Sequence, residues 1–106
     1  MISQGSQIVT TPGTAVNIST ANTPVSFITI FPRTVLGVGN TGEVRVGGRP
    51  PTSAAGAIPP GTGMPLQPGD AGVVWPFGGT AATQLSDIYI DADNANDGVQ
   101  FLFGAP

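Results

Sequence analysis

Val25-Ser26-Phe27-Ile28-Thr29-Ile30-Phe31 decides the fold. Val25, Phe27, Thr29 and Phe31 alternate with Ser26, Ile28 and Ile30, the period of two that belongs to an extended strand. Apolar groups stand on both faces, the pattern of a central strand covered on two sides. Burying Phe27, Ile28 and Ile30 in such a place stabilises a fold by roughly 1.5–3 kcal/mol each. Pro24 opens the stretch and Pro32-Arg33 closes it.

Working outward toward the N-terminus, residues 14–18 alternate Ala15, Val16 and Ile18 with Thr14 and Asn17. Pro12-Gly13 marks a turn, and residues 6–11 read as a first strand around Ile8 and Val9. On the other side, Thr34-Val35-Leu36-Gly37-Val38 runs extended into the turn Gly39-Asn40-Thr41-Gly42. Residues 43–47 answer it as a hairpin return, with Val44 and Val46 on one face and Glu43 and Arg45 on the other. A further apolar strand starts at Ala71-Gly72-Val73-Val74-Trp75 and reaches Phe77. Residues 78–83 form a loop with room for one helical turn near Leu85. Residues 85–91 set Ile88 and Ile90 against Asp87, Tyr89 and Asp91. An Asp/Asn turn then leads to the last strand, Val99-Gln100-Phe101-Leu102-Phe103. About seven or eight short strands with regular turn signals predict an all-β single-domain antiparallel β-sandwich or jelly roll over residues 1–106.

Composition narrows the chemistry. Among 106 residues there are 16 glycines and 11 prolines, too many interruptions for long helices. The net charge is -3, and Arg33, Arg45 and Arg49 are the only cations besides the terminus. Nucleic-acid binding needs a clustered basic footprint, and a polybasic membrane patch needs the same, so neither partner is expected. With no cysteine, neither disulfides nor thiolate metal sites can staple the fold. No run approaches the roughly 20 apolar residues of a membrane-spanning helix. The first residues, MISQGSQIVTTPG, lack the basic and apolar regions of a secretory signal, which predicts synthesis and folding in a cytosol. Charged residues make up only 8% of the chain, fewer than a small free monomer usually carries. Such a neutral surface predicts burial against other chains.

Residues 49–70, RPPTSAAGAIPPGTGMPLQPGD, hold six of the eleven prolines and almost no strand or helix pattern. A loop this long in a small domain is commonly functional. It reads as a long Pro/Gly-rich arm, with Arg49, Pro51, Ile58, Pro59, Met64 and Leu66 as contacts to a neighbouring protein. Ile58 and Met64 are its expected apolar anchors. Phe27, Ile28, Ile30, Val74, Trp75, Ile88, Ile90, Phe101 and Phe103 are the expected scaffold.

Several short motifs have a plainer reading beside the functional one. Gly37-Val38-Gly39-Asn40-Thr41-Gly42 matches G-x-G-x-x-G, but a dinucleotide site needs a helix directly after it, and here a β-branched strand follows. Asp91, Asp93 and Asp97 offer oxygens to a calcium ion, yet Ala95 stands at a ligand position and no distal glutamate follows, so a turn is expected. Asn17-Ile18-Ser19 matches a glycosylation sequon but, with no secretory signal expected, reads as chance. Pro65-Leu66-Gln67-Pro68 is a PxxP core, read as a stiff lead into a Pro-Gly type II turn at Gln67-Pro68-Gly69-Asp70. No acid–base pair or activated nucleophile is assembled, so no enzymatic activity and no cofactor are expected.

Four pieces in order carry a resemblance: Phe27-Ile28-Thr29-Ile30, Glu43-Val44-Arg45-Val46-Gly47-Gly48, Gly63-Met64-Pro65-Leu66-Gln67-Pro68-Gly69-Asp70 and Leu85-Ser86-Asp87-Ile88-Tyr89-Ile90. Across about residues 8–103 the chain resembles small β-sandwich structural proteins of tailed bacteriophages, of the decoration (cement) or minor virion kind. It departs from them in a longer arm over 49–63 and in an extended acidic turn over 92–97. The resemblance implies a virion protein, on the capsid surface rather than the tail, that binds the major capsid protein or another virion protein. With that role a homo-oligomer, a trimer or dimer, made in a host cytoplasm, is expected. A tail or head-completion component is the alternative. A carbohydrate- or receptor-binding module is another, with Trp75, Phe77 and Tyr89 as its candidate aromatic platform.

Overall fold

A computed structural model describes residues 2–20, 24–35, 38–48, 58, 61–76 and 84–104. In chain order the strands are β1 (Ile2–Ile8), β2 (Val16–Asn17), β3 (Phe27–Pro32), β4 (Thr34–Val35), β5 (Val38–Gly39), β6 (Val44–Gly47), β7 (Met64–Leu66) and β8 (Val73–Pro76). A 3₁₀ turn (Leu85–Asp87), β9 (Tyr89–Ala92) and β10 (Gly98–Gly104) complete it. Two antiparallel sheets hold most of them, in the orders β1-β10-β3-β8 and β2-β9-β6-β7, and β4 and β5 form a separate ribbon. The described chain is all-β, consistent with a β-sandwich.

β3 occupies an interior position of the first sheet, and the register fixes its faces. Ile28 pairs with Phe103, Ile30 with Phe101 and Pro32 with Val99. Ile28 and Ile30 are fully buried. One hydrophobic cluster joins them and Val99 to Val44, Val46, Leu66, Ile90 and Ala92 of the second sheet, so a single core draws on both layers. Ile18, Val25, Leu85 and Ile88 close it from the connections.

The opposite face of β3 is not sealed as its apolar pattern predicts. Phe27 is half-buried there, and Phe31 is 40% exposed. Their rings instead cover glycines. A Cβ at Gly104, the cross-strand partner of Phe27, would collide with the Phe27 ring, and one at Gly72 would collide with Phe31. On the inner side Phe101 lies over its partner Gly5, where an added Cβ would stand 2.6 Å from the ring. Aromatic rings laid on cross-strand glycines recover contact area that the glycine cannot supply itself. The apolar pattern on both faces of β3 therefore reflects ring-on-glycine packing as well as the core.

Three local expectations change. The hairpin between residues 34–38 and 43–47 does not form. β4 pairs with β5, while β6 pairs with β7 and β9 in the other sheet. The turn at Asn40–Gly42 is captured by side chains of the β9–β10 connection, which sends the chain across to the second sheet. The arm is not patternless throughout, since Met64–Leu66 is strand β7, paired with β6. The segment from Leu85 opens as a 3₁₀ turn, with Asp87 N–H donating to the Gln84 carbonyl at 3.0 Å, and extends only from Tyr89.

Candidate functional site

Strict alternation places Arg45 on β6 and Asp91 on β9 at solvent, opposite each other on the outer face of the second sheet. Both are buried, Arg45 3% exposed and Asp91 1%. Two loops cover them. Gly13, in the turn after β1, donates its N–H to Asp91 Oδ1 at 3.0 Å. Ile58, in the middle of the arm, donates its N–H to Asp91 Oδ2 at 3.0 Å. The Ile58 carbonyl accepts from Arg45 Nε at 2.6 Å. One arm residue is thus held at both of its backbone polar groups by a cross-strand pair of opposite charges. Charge-assisted hydrogen bonds of this kind are the strong ones.

The Ile58 side chain is buried as well, and glycines make the room. Its methyl groups lie 3.5 Å from where a Cβ would stand on Gly47 and 3.2 Å from that position on Gly63. Gly63 has φ +67°, in the left-handed region, and its Cβ would also press on the Val46 carbonyl at 2.7 Å. Only glycine fits that bend without strain.

Arg45 also reaches two carboxylates. Nη1 donates to Asp93 Oδ1 at 2.7 Å and to Glu43 Oε1 at 3.1 Å. Burial alone pushes the guanidinium pKa down, but the bonds to Asp93 and Glu43 and the charges of Asp93 and Asp91 outweigh it, so the net shift is upward. A raised basic pKa gives stability that is complete at neutral pH and fades only as pH climbs through the folded-state value. The second Glu43 oxygen accepts from Gln67 Nε2 at 2.7 Å, which ties down the segment after β7. There Asp70 N–H donates to the Gln67 carbonyl at 3.0 Å and Gly69 has φ +83°, a Pro-Gly turn as its sequence predicts.

Of the six arm residues expected to meet a partner, Arg49, Pro51 and Pro59 lie outside the described residues. Met64 is half-buried in β7. Ile58 and Leu66 are buried in this chain, so their side chains serve its packing and fasten the arm. The PxxP core is divided between β7 and the turn, with Leu66 in the core. Phe77 lies outside the described residues, and Tyr89 is half-buried beside Gly47 in the register.

The acidic turn has internal work. Asp97, 5% exposed, accepts from Thr41 N–H at 3.0 Å, from the Thr41 hydroxyl at 3.1 Å and from Gly42 N–H at 2.9 Å. Beside it Asn40 exchanges two bonds with the Gly98 backbone, at 2.8 and 3.0 Å. The glycine-rich stretch 37–42 leads into strand β6, not a helix. Asp91, Asp93 and Asp97 therefore each bond to groups of the chain itself, and no cluster of metal-ligating side chains is found among the described residues. Asp97→Asn should cost about 1–2 kcal/mol in urea denaturation, because the amide nitrogen cannot accept the bonds that one carboxylate oxygen now takes. The arm's buried anchor escaped the sequence reading because alternation assigns Arg45 and Asp91 to water, and only their opposition in the β6–β9 register brings them together.

No protein-family model matches the chain, and no curated protein or solved structure matches it either.

Proposed function

We propose that this is a non-enzymatic virion structural protein that binds an assembled phage capsid and reinforces it through the proline-rich arm. The observation that carries the reading is the double grip of Arg45 and Asp91 on the backbone C=O and N–H of Ile58. It fastens the arm at its midpoint to the outer face of the second sheet. Prolines reduce the chain entropy lost on docking, and repeated attachment to a symmetric lattice multiplies modest contacts. The nearly uncharged surface and the resemblance to decoration proteins agree with this role. The major capsid protein is the partner in this reading. A tail or head-completion component would use the same arm in the same way. The internal bonds of Asp91, Asp93 and Asp97 give a calcium-dependent sugar site little to build on.

The test leaves the anchor intact. Residues 50–57 are replaced by a Gly/Ser spacer of equal length, keeping Ile58, and co-sedimentation with empty capsids is compared with the wild type. Retention should fall at least about tenfold while the circular dichroism spectrum stays unchanged, as expected when entropy-limited contacts are lost. Equal retention by the folded variant would overturn the reading.

A further inference from the structure

We infer that β1 is the pairing edge of a two-fold dimer of this chain, joined antiparallel to the β1 of a second copy. This inference stands apart from the capsid reading and holds or fails without it. It starts from an unprotected edge. Among the described strands nothing lies beyond β1, which terminates its sheet. Among the described residues, the other three edges of the two four-stranded sheets carry the usual safeguards. β2 has two residues, β7 carries Pro65 and β8 carries Pro76. β1 is seven residues of ISQGSQI, with no proline and no charge. A long uncharged edge is a template for another strand.

The hydrogen-bond phase shows which groups are on offer. Val9 N–H donates to the Asp97 carbonyl and Val9 C=O accepts from Asn96 N–H, both at 2.8 Å, so Val9 faces the β10 side. Gly98, opposite Ile8, turns its N–H and C=O away from β1 to the Asn40 side chain. Ile8 and Gly98 are thus a non-hydrogen-bonded pair. Alternation along the ladder then points the backbone groups of Ser3, Gly5 and Gln7 at β10, and those of Ile2, Gln4, Ser6 and Ile8 at the free edge. The Ile8 carbonyl is partly occupied, by a 3.3 Å bond from the Gln7 side-chain Nε2.

These four residues are self-complementary. A two-fold axis at Gly5 sets Ile2 opposite the copy's Ile8 and Gln4 opposite its Ser6. All four outward residues of each copy are then used, giving about eight backbone bonds in total by the antiparallel pattern. Shifting the axis by one residue strands an end. The same register covers Ile2, 63% exposed in the single chain, with an isoleucine on the same face. Beside it the groove lined by Gln4, Phe31, Gln100 and Leu102 is uncharged, so the second copy brings no like charges together. Such a contact is isologous and closes on itself.

Light scattering of the whole chain across a concentration series, with amide exchange read by NMR, tests it. The wild type should have twice the mass of one chain, and the Gln4, Ser6 and Ile8 amides should become protected as the dimer forms. Ser6→Pro removes one outward N–H and leaves the bonds to β10 in place, since proline is tolerated where the N–H faces away from the sheet. It should give the single-chain mass with an unchanged β spectrum. Should Ser6→Pro fail to fold, Gln4→Lys decides, because an edge lysine is compatible with the fold and opposes pairing. A wild type that stays monomeric, or a dimer that survives these variants in folded form, overturns the inference. Protection of these amides only on added capsids would replace the second copy with a strand of the capsid.

Discussion

Asp91→Ala should lower the unfolding free energy by about 3–5 kcal/mol in urea titration, the range for breaking a buried charged network. The carboxylate accepts from three backbone N–H groups, those of Gly13, Ile58 and Ala92. Alanine leaves all three without an acceptor in a place where Asp91 is 1% exposed. A buried donor left unpaired costs about 1–3 kcal/mol. Two of the three belong to loops far apart in sequence, so the substitution also loosens the Gly13 turn and the arm from the sheet. Arg45 loses a neighbouring negative charge but keeps Asp93 and Glu43. Arg45→Met should cost less, because it leaves one buried acceptor unpaired, the Ile58 carbonyl, while the Glu43 and Asp93 carboxylates it abandons are 24% and 48% exposed and can turn to water. The two side chains hold the N–H and the C=O of one residue, Ile58, so a double-mutant cycle should show coupling of about 1 kcal/mol or more. A loss below about 1 kcal/mol for Asp91→Ala would mean that water takes over these bonds, and the anchored-arm geometry would lose its energetic basis.

The same residues show where reading the sequence stops. Period-two patterning finds the strands around Ile28, Ile30, Ile90 and Phe101, because hydrophobic burial acts face by face. It also finds the turns at Pro12-Gly13 and Pro68-Gly69, where proline and a left-handed glycine determine the backbone. It cannot find partners. Asn40 and Asp97 are 57 residues apart, and nothing local tells that side chains from the acidic turn take hold of the Gly39–Gly42 turn and prevent the expected hairpin. Nor does alternation tell which polar face will be roofed. Arg45 and Asp91 fit the pattern of wetted positions, yet they are buried and bonded to Gly13 and Ile58, residues far away in sequence. Ile58 shows the converse. An isolated isoleucine in a proline-rich run reads as a contact for another protein, whereas its backbone and side chain are both engaged within the fold. Capping of a sheet face by a distant loop is a tertiary event, and in this chain the candidate site depends on it.

Gly98→Ala should be nearly as damaging, at about 3 kcal/mol or more, through a clash that side-chain rotation cannot relieve. Gly98 opens β10 and pairs with Ile8 of β1. Its added methyl would collide with the Gln7 carbonyl oxygen and stand 2.7 Å from Ile8 Cα, both backbone atoms. The strands can separate only by lengthening the β1–β10 ladder. The alternative is to move Gly98 itself, but its N–H and C=O are bound to Asn40, and its C=O also accepts from Arg33 N–H at 3.0 Å. Shifting it breaks the connection that holds the 40–42 turn. Gly48→Ala is the matched control, since nothing lies within 4 Å of its Cβ position, and it should change stability by no more than about 0.5 kcal/mol. Hydrogen exchange should locate the damage: in Gly98→Ala the Ser3, Gly5 and Gln7 amides lose protection first, ahead of β6 and β9. If both glycine variants were equally mild, close strand approach at Gly98 would not be what selects glycine there. If protection fell uniformly across both sheets, β1 would be inseparable from the core, and its free edge would have to be tested by substitutions on the outward-facing residues alone.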